Sequence, residues 1–145
     1  MTSEHRLLVV TTWRRLAEQA PEFETTFYRR LFEIDPDLRR LFSSTVSNDQ
    51  ARKLSSMLEL IVQWLDAPER LVPALKQLGA RHAAYGIVDE HYNDFGSALM
   101  GTLDERLGAD FTPEARSAWT EAYALISALM RRGAMRVTGE WALRR

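Results

Sequence analysis

One histidine closes a run of apolar residues: Leu71, Leu75 and Leu78 precede His82 at steps of four and three. That spacing puts all four on one face of a single helix. The chain has no cysteine and only two other histidines, His5 and His91, so an imidazole on this inward stripe is a candidate ligand for a buried metal. The same placement suits a core histidine that donates to a carbonyl one turn back, and the helix alone leaves both readings open. Ala83-Ala84-Tyr85-Gly86-Ile87-Val88-Asp89-Glu90-His91-Tyr92 follows directly. Gly86 is expected to end the helix and Asp89 to cap the next one, with His91 exposed in its first turn.

Other site chemistries lack their residues. Without cysteine there is no disulfide, no thiolate nucleophile and no cysteine-ligated zinc or iron–sulfur site. No Glu-x-x-His pair is present for a di-iron bundle, and neither a phosphate-cradling glycine loop nor a Gly-x-Ser-x-Gly elbow occurs. Three widely spaced histidines do not make a zinc site. The 19 Lys and Arg balance 20 Asp and Glu, a net charge of -1, which points to neither nucleic acid nor an anionic membrane as partner. With no apolar leader and no stretch long enough to span a bilayer, a soluble cytoplasmic protein is expected. A domain of 145 residues, 46% hydrophobic, can bury roughly two-thirds of its unfolded surface and still enclose a cavity.

The elements that must position His82 read as helices throughout. Val9, Trp13, Leu16 and Ala20 make an opening stripe, and Pro21 can start a second helix with Phe23, Phe27, Tyr28, Leu31 and Phe32 inward. Pro36 opens a short third piece carrying Leu38, Leu41 and Phe42, and residues 43–48 read as a loop. From Asp49 a long helix carries Leu54, Met57, Leu58, Ile61, Val62 and Leu65, and Asp66-Ala67-Pro68 interrupts it before the His82 helix. The next helix turns Tyr92, Phe95, Leu99, Leu103 and Leu107 inward and ends near Gly108. Thr112-Pro113 starts the last one, with Ala115, Trp119, Ala122, Tyr123, Ile126, Leu129 and Met130 buried. Residues 1–145 read as one domain, with a basic extension from about residue 131 in which Trp141 is loose or folded back.

Four stretches carry a specific resemblance: Thr26-Phe27-Tyr28-Arg29-Arg30-Leu31-Phe32, Pro36-Asp37-Leu38-Arg39-Arg40-Leu41-Phe42, Leu78-Gly79-Ala80-Arg81-His82 and Ala118-Trp119-Thr120-Glu121-Ala122-Tyr123. In order and spacing the chain resembles bacterial single-domain globins of the Vitreoscilla type and the globin part of flavohaemoglobins. The resemblance implies an all-α globin fold, a three-over-three helical sandwich around haem b. It makes His82 the proximal iron ligand, its tautomer fixed by the Leu78 carbonyl, and Phe42 the ring that packs flat on the haem. Arg81, Leu78 and Phe95 join the cofactor-binding set. Tyr28 and Gln50 match the distal tyrosine and glutamine, with Leu54 crowding the ligand one turn beyond. O2 polarised on ferrous iron accepts hydrogen bonds from such donors, each contributing about 1–3 kcal/mol in a dry pocket.

Tyr92 matches a tyrosine that, in flavohaemoglobins, joins a glutamate in bonding the proximal histidine. Here the glutamate position falls on Arg136, which can accept neither a proton nor a hydrogen bond. The sequence also stops at Arg145, without the reductase of flavohaemoglobins, so turnover is expected to need a separate reductase or a small reductant. The implied function is reversible, high-affinity binding of O2, with CO and NO as further ligands. The alternatives are a nitric oxide dioxygenase or weak peroxidase-like activity fed by an external donor, and a haem-free interaction module.

Overall fold

A computed structural model describes residues 1–42 and 48–143, except for the side chains of Asn48, Gln50 and residues 136–143. Among the described residues there are six α-helices, two short 3-10 turns and no strand. Helix α1 (Ser3–Ala17) begins where Thr2 accepts the His5 N–H at 3.1 Å. Helix α2 (Ala20–Ile34) opens on Pro21, whose missing N–H costs nothing in a first turn. Its 3.6-residue period then brings Phe23, Phe27 and Leu31 into the core. Pro36 cannot extend that helix. A 3-10 turn over Pro36–Leu41 follows, capped by the Asp35 carboxylate on the Asp37 N–H at 3.1 Å.

The remaining helices are α3 (Asn48–Gln63), α4 (Pro68–Ala84), α5 (His91–Leu107) and α6 (Pro113–Leu143). Helices α1, α3 and α4 face α2, α5 and α6, with α4 packed on α6, α2 on α5 and α1 on α6. The core between the layers holds Val9, Trp13, Phe23, Leu31, Leu71, Leu75, Leu103 and Trp119, each no more than 2% exposed. One buried polar pair there crosses the layers: Trp119 Nε1 donates to Thr12 Oγ1 at 2.8 Å. No helix among the described residues is long and apolar enough to cross a membrane.

Three local expectations are corrected. Asp89 does not cap α5; its carboxylate is drawn away to Arg131 of α6, 3.0 Å from Nε. His91 takes over at that corner and is half-buried rather than exposed, its Nδ1 accepting the Val88 N–H at 2.9 Å. The chain from about residue 131 begins as packed helix: Arg131 crosses to α5, and Gly133 is buried against the Lys76 backbone. Trp141 lies outside the described side chains.

Candidate functional site

Helix α4 delivers His82 in its last turn, and the end of that turn is tied down. Gly86 takes a left-handed φ of 101°, the Ile87 N–H reaches back to the His82 carbonyl at 3.0 Å, and the Gly86 N–H bonds the Ala83 carbonyl at 3.1 Å. These two bonds make the Schellman cap that a glycine one residue past the helix end allows. Here the sequence expectation at Gly86 holds. The imidazole itself is half-buried, and its Nδ1 lies 2.8 Å from the Leu78 carbonyl. A carbonyl only accepts, so Nδ1 carries the proton and Nε2 carries the lone pair. Burial holds the imidazole below its ordinary pKa of 6.5; the Leu78 bond opposes this, and the Arg81 cation adds to it. His82 is therefore neutral near pH 7, with its tautomer fixed and Nε2 without a hydrogen-bond partner among the described residues. A neutral imidazole oriented through its other nitrogen is what a transition metal takes as ligand.

A second group of side chains gathers where α2 meets the 3-10 turn. The Tyr28 ring stands edge-on to Phe42 at 5.7 Å between centroids and to Phe27 at 5.3 Å, and Phe32 meets Phe42 at 5.4 Å. Phe27, on the same helix, is 7% exposed, whereas Tyr28, Phe32 and Phe42 stay only half-buried, as do Leu54 of α3, Leu78 of α4 and Phe95 of α5. Large apolar side chains on inward stripes that remain incompletely covered are free to line a cavity rather than fill the middle of a core. Burial and the nearby Glu24 carboxylate push the Tyr28 phenol up to about 12. It stays protonated at neutral pH and can donate.

The two groups meet at the corner after α4. A Cβ built on Gly86 would lie 3.1 Å from Leu41 Cδ2, the residue before Phe42. Asp35 at the end of α2 also lies 4.0 Å from His91 Nε2 at the start of α5. The structure thus brings the corner after His82 against the turn that bears Phe42. Arg81 sits beside His82 with its side chain exposed. Gln50 is on α3, but its side chain lies outside the described residues, as does that of Arg136.

Tyr92 is 2% exposed, yet its hydroxyl has no hydrogen-bond partner among the described residues. No bond from Tyr92 to His82 occurs among the described residues, and Nδ1 is held by Leu78 as the resemblance implies. Instead the Tyr92 ring stands edge-on to Phe95 at 5.8 Å, with the Arg131 guanidinium 5.4 Å from its centroid. Its backbone carbonyl accepts the Tyr123 hydroxyl. Arg131 also reaches Asn93 Oδ1 at 3.2 Å, so α6 clamps the start of α5 through a cation. The sequence reading missed this residue, because nothing local to α6 marks which of its arginines points across the fold.

Comparison with known proteins agrees with this geometry. The family profile described as Globin matches residues 25–130. An anaerobic nitrite reductase of Casuarina glauca is 35% identical over 84% of this chain and 85% of its own length. A flavohemoprotein of Chromobacterium violaceum is 30% identical over 88% of this chain, which spans only 32% of that protein. Among solved structures, an engineered carbene transferase, itself a candidate nitric oxide dioxygenase of Rhodothermus marinus, superposes with a TM-score of 0.82. It is 28% identical, with coverage of 99% of this chain and 97% of that one. A hexacoordinated haem protein of an anhydrobiotic tardigrade shares the fold at a TM-score of 0.84 and 17% identity, over 93% and 96% of the two chains. With its half-buried histidine in the matched span and relatives above 30% identity over most of its length, this chain belongs to the globin family.

Proposed function

We propose that this globin holds haem b through His82 and binds O2 reversibly with high affinity. The observation that carries the reading is the Nδ1 bond of His82 to the Leu78 carbonyl, which leaves a neutral, oriented Nε2 in the last turn of α4. The residues present fit the group: Phe42, Leu54, Leu78 and Phe95 would cover its faces, and Arg81 would meet its charged edge. Haem supplies a ferrous centre that takes up and polarises a diatomic gas. The protein then acts through its own donors. The protonated phenol of Tyr28, with Gln50 as a second donor, would hold a polarised ligand by hydrogen bonds and slow its release. The aromatic wall of Tyr28, Phe32 and Phe42 keeps water from competing for those donors. CO and NO would enter the same site, and the setting we favour is the cytoplasm.

A nitric oxide dioxygenase, served by a separate reductase, is the second reading. It draws on the likeness to flavohemoproteins and to the Rhodothermus protein. Against it, His82 bonds a carbonyl rather than a carboxylate, so the imidazole lacks the negative partner that would strengthen its donation toward oxidative chemistry. Stopped-flow O2 release from the haem-loaded ferrous protein tests the first reading, with slow release expected and release as fast as from an open pocket contradicting it. Sustained NO consumption with a supplied reductase would favour the second. The plant relatives make nitrite a worthwhile third substrate in that assay.

A further inference from the structure

Helices α4 and α6 touch backbone to backbone at two points. A Cβ built on Gly79 would fall 1.9 Å from the Met130 carbonyl oxygen, and one built on Gly133 would fall 1.8 Å from the Lys76 carbonyl oxygen. Each helix therefore contributes one glycine and one carbonyl, and the pairs lie one turn apart on antiparallel helices. Side chains cushion most helix contacts and can change rotamer; a backbone carbonyl has no such freedom. Glycine inside a helix costs about 0.5–1 kcal/mol relative to alanine, so two at one crossing mark a contact that nothing larger allows.

The crossing lies next to the ligand. Gly79 directly follows Leu78, whose carbonyl holds His82 Nδ1 at 2.8 Å, and it precedes His82 by three residues. On the far side, the Ile87 N–H grips the His82 carbonyl at 3.0 Å. Turning the imidazole away from α4 therefore costs the Leu78 bond, and α4 cannot approach α6 without a carbonyl giving way. We propose that Gly79 and Gly133 are positioning residues, fixing the depth and tilt at which α4 presents His82 and so setting the strength of its bond to the iron. This rests on the haem reading above.

The test compares haem-loaded ferrous wild type, Gly79→Ala, Gly133→Ala, and His82→Gly supplied with free imidazole, by the iron–imidazole stretching frequency in resonance Raman spectra. Thermal unfolding of each variant is recorded beside it. An alanine at 79 must move α4 by about 1 Å or more to clear the Met130 carbonyl. The stretch should therefore shift away from wild type, and further than in Gly133→Ala, whose contact is one turn more distant from His82. The tethered wild-type frequency should also differ from that of free imidazole in His82→Gly. A Gly79→Ala protein that is destabilised but keeps the wild-type frequency overturns the proposal. If that variant does not fold, the same frequency in wild type and in His82→Gly with imidazole overturns it instead. Failure of the wild type itself to take up haem defeats the functional reading, and this inference with it.

Discussion

Replacing Tyr28 with Phe removes one oxygen atom and leaves the aromatic wall in place, which makes it the sharpest probe of the distal side. The ring contacts with Phe27, Phe32 and Phe42 are made by carbon atoms that phenylalanine retains. No described residue accepts the Tyr28 hydroxyl, so no hydrogen bond among the described residues is lost and the melting temperature should move little. The loss falls on the ligand. A hydrogen bond from a buried phenol to a polarised O2 contributes about 1–3 kcal/mol, so release should quicken by about 5- to 150-fold. CO is less polarised on iron and accepts more weakly, so its release should change by no more than about threefold. Stopped-flow displacement of each gas from the ferrous protein measures both. The phenol lies near 12, above its ordinary 10.0, so the donor keeps its proton through neutral and mildly alkaline pH. Wild-type O2 release should accordingly stay flat there and quicken only at strongly alkaline pH, as the proton is lost. Equal effects of Tyr28→Phe on O2 and CO, or no effect on O2, would refute the reasoning that Tyr28 faces the ligand as a donor.

Thr12→Val strips the acceptor from the buried Trp119 N–H and should cost about 1–3 kcal/mol, seen as a melting temperature lower by a few degrees to about 10 °C. Adding Trp119→Phe to that background should cost less than Trp119→Phe alone, and strict additivity in the cycle would deny the bond its role. Gly86→Ala forces a side chain into φ 101° beside Leu41 and should lower the denaturation midpoint by about 1–3 kcal/mol equivalent. Because that cap holds the His82 carbonyl, the same variant should also lose haem faster when transferred to an acceptor protein.

Much of this fold is legible in the sequence because its helices are amphipathic and punctuated. Pro21, Pro36, Gly86 and Thr112-Pro113 each mark a boundary the structure keeps, and the stripe from Leu71 to His82 sits where its period places it. Periodicity alone cannot separate Tyr28 and Phe42 from Phe23 or Phe27, since all are inward aromatics. Only their incomplete burial sets them apart. Long-range contacts account for most of what was not legible. Asp89 reads as a cap because local geometry favours one, but an arginine more than 40 residues later takes its carboxylate. Gly79 and Gly133 owe their role to the crossing between two helices, a long-range contact with no local signal. Gln50 and Arg136 rest on the resemblance alone.

The most direct test of the central claim is an optical absorption spectrum of the purified protein after haem addition, then with dithionite, then with CO, beside His82→Ala treated alike. The account predicts a sharp Soret band that shifts on reduction and again on CO binding, and that is lost or altered in His82→Ala. A spectrum indistinguishable from free haem, or one unchanged by His82→Ala, would contradict it.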